Sequence, residues 1–249
     1  RKADRPMRRD TIVQIFSMTK PVTGVALMQL WEQGKFHLDD PLAKYLPEYA
    51  SMRVYAGQDA NGTPRYVPAD RPILVRDILR HTAGFAYGPG PTPVHDAYVA
   101  ADPLALTVPL AEASRRLARV PLLFQPGTQW EYSMAVDVQA ALVEKLSGEP
   151  FADYVRRHIF APLKMHETAW RQPDERLPRF AAMNVMTDGK LVQQGDAAAR
   201  LLNFQDHALT PGGFGLASTL DDYQRFARML LGRGELDGVR ILNPSTVRL

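Results

Sequence analysis

The alternation of apolar and polar positions divides the chain into short strands and amphipathic helices. Residues Thr11 to Phe16 (T-I-V-Q-I-F) read as a short strand. Beyond it Val22, Val25, Ala26 and Leu30 fall on one stripe of helical period and Gly34 stops the run, which predicts a helix from about Ser17. Pro21 fits that helix's first turn, where its missing N–H has no intrahelical partner to lose. Asp39-Asp40-Pro41 caps a further short helix. Residues 73–81 and 109–119 read as helical, as do 134–146 with Gly148 as stop and 151–160 ahead of Pro162. Between Met52 and Pro72 prolines and glycines break every period, leaving loop with a hairpin at Asn61-Gly62. Residues 181–217 are punctuated by glycine and strand-like in places. Ser218 and Thr219, with Asp221 and Asp222 behind them, cap a helix striped by Tyr223, Phe226, Ala227 and Leu230 and ended by Gly232. Asp237-Gly238 makes a tight turn, and Asn243-Pro244 read as N-cap and N1 of a last helix. A helix-rich middle between mixed segments predicts an α+β protein, not a regular βαβ alternation.

Composition narrows what this architecture can do. At 249 residues and 45% hydrophobic the chain can bury one large core or two smaller ones. Its net charge of +3 is matched by the first ten residues alone, where Arg1, Lys2, Arg5, Arg8 and Arg9 face only Asp4 and Asp10. The remainder is balanced, which removes the basic face that nucleic-acid binding requires. Cysteine is absent, so disulfides, thiol catalysis and cysteine metal sites are excluded. The most apolar stretch, around Pro21 to Trp31, is too short and too interrupted to span a bilayer. No signal-like apolar region follows Arg1, so a cytoplasmic protein whose N-terminus is missing is expected.

One spacing carries candidate chemistry. Ser17 is the only serine with a lysine three residues on, at Lys20, and both sit at a helix start where i and i+3 share a face. A serine hydroxyl becomes a nucleophile when a base takes its proton, and a neighbouring ammonium favours the alkoxide. The spacing alone is weak, because Ser and Lys are ordinary in a first helical turn. Tyr132, in P-G-T-Q-W-E-Y-S-M just before a helix, supplies a phenol that serves as a base once a cation such as Lys20 stabilises its phenolate. Taken by itself it would be a half-buried loop tyrosine bonded to backbone. Competing signatures fail: there is no G-x-S-x-G elbow, no H-E-x-x-H, and no glycine-rich nucleotide fingerprint.

In order along the chain, S-M-T-K (Ser17 to Lys20), H-T-A-G-F (His81 to Phe85), P-G-T-Q-W-E-Y-S (Pro126 to Ser133) and G-G-F-G-L-A-S-T-L-D-D-Y-Q-R-F (Gly212 to Phe226) resemble the β-lactamase-related serine hydrolases. That group includes class C β-lactamases, DD-peptidases and family VIII carboxylesterases. The resemblance implies an antiparallel sheet flanked by helices, joined to a mostly helical domain. Residues 1–249 would then be a single, incomplete catalytic unit, with about 1–50 and 181–249 on the sheet side and about 51–180 mostly helical. It implies Ser17 as the acylated serine, Lys20 as its partner and Tyr132 as the base, with His81 and Gly212-Gly213 structural or cleft-lining. Class C lactamases carry Tyr-x-Asn where this chain has Tyr132-Ser133-Met134. Met134 has no amide to orient a lactam, and family VIII esterases commonly have an apolar residue there. The third box expected on a later strand (Lys-Thr-Gly, His-x-Gly or Trp-Gly-Gly) does not follow Tyr132.

The expectation is therefore a serine hydrolase acting on small-molecule esters of short acyl chains through an acyl-enzyme, without metal or cofactor. Its rivals are a β-lactamase or D-Ala-D-Ala carboxypeptidase sharing the same first step, and a non-catalytic interaction module on the same scaffold. The absent third box and the single helical turn at the end imply an internal piece of a longer protein, poorly active alone.

Overall fold

The computed structural model describes residues 6–193 and 196–249, and most of the basic terminal stretch, Arg1, Lys2 and Arg5, lies outside the described residues. In chain order the first elements are β1 (Val13–Gln14), α1 (Thr19–Glu32), β2 (Arg53–Gln58), β3 (Pro64–Pro68), α2 (Val75–Arg80), α3 (Pro93–Ala101), α4 (Leu110–Ala118), α5 (Ala135–Ser147) and α6 (Phe151–Val155). They continue as β4 (Asn184–Thr187), β5 (Lys190–Gln193), α7 (Asp196–Asn203), β6 (Ala217–Ser218), α8 (Leu220–Leu231), β7 (Glu235–Leu236), β8 (Val239–Arg240) and α9 (Pro244–Arg248). The chain divides into two compact units: Arg1–Val22, Ala152–Asp206 and Phe214–Leu249 form one, Thr23–Phe151 and His207–Gly213 the other.

Helices dominate, and strands occur as antiparallel pairs: β1 with β6, β2 with β3, β4 with β5, β7 with β8. The broad sheet implied by the resemblance is not formed among the described residues. The strand expected over Thr11–Phe16 shows why. Only Val13 and Gln14 enter a ladder, opposite Ser218 and Ala217. Ile12 instead makes a parallel bridge to Phe180, and Phe16 leaves extended backbone altogether at φ +43°. Two further expectations hold and are sharpened. The stretch read as strand-like from 181 holds a hairpin turning at Asp188-Gly189 and then α7, whose Ala-Ala-Ala-Arg-Leu-Leu run is strongly helix-forming. The loop around Asn61-Gly62 is a full hairpin, β2 and β3, with Gly62 at φ +81° and the Asp59 carboxylate accepting from the N–H groups of Asn61 and Thr63.

In the first unit Ile12, Phe180, Phe204 and Ala217 form a buried cluster, with the rings of Phe180 and Phe204 edge to face at 5.1 Å. Asn203 is fully buried beside them and satisfied: its amide donates to the carbonyls of Trp170 (2.8 Å) and Gly215 (2.7 Å) and accepts from Gln14 (2.8 Å). An open apolar groove of about 860 Å³ runs along β1 and the start of α8, lined by residues including Val13, Phe16, Leu220 and Tyr223. In the second unit α5 is the central helix, packed against α2 and α4, with every residue from Ala135 to Val143 buried. Its buried polar groups are used: Gln139 donates to the Ile78 carbonyl at 2.7 Å, and Asp137 accepts from the Gly213 N–H at 3.0 Å. Among the described residues no helix is long and apolar enough to cross a membrane.

The turn after α1 illustrates how one carboxylate holds a loop. Asp40 accepts from the His37 N–H (2.8 Å), the Tyr45 hydroxyl (2.5 Å) and the Lys44 ammonium (3.1 Å). The Tyr45 hydroxyl first, then the His37 N–H, hold its pKa down to about 2. A depressed carboxylate contributes stability above its unfolded value of about 4 and loses that contribution as pH falls through the folded value. Asp40→Asn is therefore expected to lower the urea midpoint near neutral pH, and the gap to the parent should narrow as pH falls from about 4 toward 2. A gap that stays constant over that range would contradict the assignment.

Candidate active site

Ser17 does not begin the α-helix. Phe16, Ser17 and Met18 form a 3₁₀ turn and α1 starts at Thr19, two residues later than the sequence pattern predicts. The pair therefore spans a junction, with Ser17 in the 3₁₀ turn and Lys20 in the first turn of α1. The Lys20 ammonium donates to Ser17 Oγ at 3.2 Å, with Ser17 exposed and Lys20 half-buried. The spacing read from sequence is thus a contact.

The turn is fixed by the segment from Leu216 to Tyr223, all within the first unit. Ile15 N–H donates to the Leu216 carbonyl at 3.0 Å, and Leu216 N–H donates to the Thr19 hydroxyl at 3.3 Å. Thr19 is fully buried. Met18 N–H closes the turn on the Ile15 carbonyl at 2.9 Å, and the Tyr223 hydroxyl donates to the Met18 carbonyl at 2.9 Å. Burial raises the Tyr223 phenol above its ordinary pKa, so it stays a donor. These bonds hold Phe16 in the left-handed region, a conformation that costs an L-residue about 1–2 kcal/mol. The strain stands one residue before the candidate nucleophile.

Tyr132 belongs to the second unit, and its surroundings are built by two of the sequence motifs hydrogen-bonding to each other. Backbone N–H groups of Leu123, Gly127, Glu131 and Met134 donate to the carbonyls of Gly84, Thr82, His81 and Ala86 at 2.7–3.2 Å. This seam explains the glycine of H-T-A-G. Gly84 stands at φ +91°, and a Cβ there would lie 2.5 Å from the Phe124 carbonyl oxygen. Gly127 is equally constrained, at φ +83° with Arg71 filling the space a Cβ would need. Arg71 in turn makes a two-point ion pair with the buried Asp77, which also accepts from the Leu74 N–H and the Thr82 hydroxyl.

His81 closes α2 in a left-handed conformation and faces the Tyr132 loop. Its Nδ1 accepts from the Ser133 N–H at 3.2 Å, which places the proton of the neutral ring on Nε2. The His81 ring lies 5.2 Å from that of Tyr132, and Tyr87 stacks on Tyr132 at 5.4 Å. Tyr132 remains 38% exposed. His81 thus orients the tyrosine loop through its neighbour. Gly212-Gly213 is also structural: the Thr23 hydroxyl donates to the Gly212 carbonyl at 2.7 Å, and Asp137 holds the Gly213 N–H. A Cβ at Gly212 would lie 2.4 Å from the Val136 carbonyl oxygen, so α5 and this loop touch backbone to backbone.

The profile of the β-lactamase family matches residues 1–248. This chain belongs to the β-lactamase family. It is 38% identical to protein Rv1367c of Mycobacterium tuberculosis over 98% of its own length and 60% of the relative's. It is 32% identical to esterase EstB of Burkholderia gladioli, over 90% of this chain and 58% of EstB. The solved structure of simvastatin synthase (LovD) from Aspergillus terreus superposes with a TM-score of 0.81 at 27% identity, covering 100% of this chain and 60% of that one. The chain therefore spans about 60% of the length of these relatives, and its fold is that of the β-lactamase and DD-peptidase group.

Within this β-lactamase-family chain, Met134 is the N-cap residue of α5 and is 7% exposed, so it packs as well as lacking an amide. The sequence pattern had no signal for two of the features at Ser17. Tyr223 reads there only as one member of the α8 stripe, and the conformation of Phe16 leaves no trace in residue type. The strain is measurable. Phe16→Ala and Phe16→Gly both remove a ring that is 47% exposed, but only glycine relieves the left-handed backbone. Phe16→Gly is expected to be about 1 kcal/mol more stable than Phe16→Ala in urea unfolding. Equal stabilities would mean that Phe16 is unstrained in solution.

Proposed function

We propose that this chain carries the nucleophile and the base of a serine hydrolase that cleaves short-chain carboxylic esters. The observation that carries the reading is the 3.2 Å contact from the Lys20 ammonium to Ser17 Oγ at a strained, exposed turn. Ser17 Oγ adds to the ester carbonyl carbon as its proton passes to Tyr132. The tetrahedral adduct breaks its bond to the alcohol oxygen, and Tyr132 returns the proton to that oxygen. Water then adds to the acyl group on Ser17 by the same path, its proton moving to Tyr132 and on to Ser17 Oγ as the acid leaves. Lys20 holds the developing negative charge near the serine and the phenol. An esterase among the relatives supports the choice of ester, and no step calls for a metal or cofactor.

A fluorophosphonate should label Ser17 and no other residue, read by mass spectrometry of the adduct. Lys20→Ala and Tyr132→Phe should each lower kcat by about 10²-fold, and the double variant by far less than the product, because the two act on one proton. Labelling elsewhere, or multiplicative losses, would overturn the assignment. The family's other chemistry, lactam cleavage, shares the acylation step. Met134 offers no amide to a lactam, so kcat/KM for p-nitrophenyl butyrate should exceed that for a chromogenic cephalosporin. An efficient cephalosporinase would reverse the order of the two readings.

A further inference from the structure

Trp130 stands two residues before Tyr132 and is 63% exposed, an unusual position for the largest apolar side chain. Its indole meets the His81 ring at 6.2 Å with the planes 64° apart. His81 lies 5.2 Å from Tyr132, and Tyr132 stacks on Tyr87 at 5.4 Å. Four rings of the second unit thus adjoin one another in series, with the candidate base inside the series and Trp130 at its open end. The backbone seam fixes them, since Glu131 N–H donates to the His81 carbonyl at 3.0 Å between Trp130 and Tyr132. Folding gains little from a tryptophan left this exposed, because hydrophobic stabilisation scales with the area removed from water.

We propose that Trp130 is a specificity residue: it receives the alcohol portion of the ester and selects alcohols that carry a flat apolar ring. The inference rests on Tyr132 being the base of the proposed reaction. A base that returns its proton to the leaving oxygen must come within hydrogen-bond reach of it, about 3 Å. The alcohol's substituent begins one bond beyond that oxygen, beside Tyr132 and the rings that adjoin it. Aromatic rings bind flat apolar groups by offset stacking and edge contact as well as by area, and a rigid indole loses little entropy in doing so.

The test compares esters of one acyl group and two alcohols in the full-length gene product. For butyrates of 2-naphthol and ethanol, the ratio of the two kcat/KM values should fall about tenfold in Trp130→Ala and recover in Trp130→Phe. The same fall should appear with the corresponding acetates, since the acyl group lies away from Tyr132. A ratio unchanged in Trp130→Ala, or a loss that follows the acyl chain and not the alcohol, overturns the inference. Ser17→Ala assayed in parallel separates the two readings. Ester cleavage that survives it overturns the proposed reaction, whereas a Ser17-dependent enzyme whose Trp130→Ala variant is blind to the alcohol overturns this inference alone.

Discussion

The chain passes from β1 into α1 within four residues, Ile15 to Met18, and that constraint shapes everything around the candidate nucleophile. In this short connection one residue takes a left-handed conformation, and Phe16 does so without being glycine. A conformation disfavoured by about 1–2 kcal/mol persists only where its surroundings over-determine it. Here the Ile15 N–H on the Leu216 carbonyl and the Leu216 N–H on the Thr19 hydroxyl grip the chain on either side of the turn, and the Tyr223 hydroxyl ties down Met18. The result is that Ser17 projects from the apex into solvent while both its neighbours in sequence are anchored.

Tyr132 is held by a different device. No regular strand runs through His81–Ala86 or through Leu123–Met134, yet the two segments exchange enough backbone bonds to act as one rigid piece. The glycines make this possible, since Gly84 and Gly127 allow approaches that a Cβ would block. Behind the seam stands a charged support, Arg71 on the buried Asp77, whose carboxylate has four hydrogen-bond donors, two from the arginine and one each from Leu74 and Thr82. Breaking one partner of such a pair leaves an uncompensated buried charge, which is costly. The loop bearing Tyr132 is therefore irregular in outline yet held along its length by backbone hydrogen bonds.

What could be read in advance follows from the range of the interactions involved. α8 was legible because burial of one face writes a period into the sequence, α5 because Gly148 marks its stop, and the Asn61-Gly62 hairpin because its turn needs a residue at positive φ. The Ser17–Lys20 contact was legible for the same local reason. α7 was not, because its alanines carry helix propensity but little pattern, and α3 was hidden among the glycines and prolines from Gly88 to Pro93. Tyr223 reaching Met18 spans 205 residues of sequence, and no local rule anticipates it. The same holds for the seam at Tyr132: both motifs were visible, but their mutual hydrogen bonding was not.

Met134 packs at the N-terminus of α5, where the following nine residues are all buried. An amide there would place two donors and an acceptor in a site now filled by a thioether at 7% exposure. Each polar group buried without a partner costs about 1–3 kcal/mol, a large fraction of the 5–15 kcal/mol that typically holds a domain together. A chain that uses an amide at this position must supply partners for it from neighbouring elements. Here the Met134 side chain packs and needs no such partner, while its N–H donates to the Ala86 carbonyl at 3.2 Å. The choice of side chain at position 134 is therefore bound to the core of the second unit.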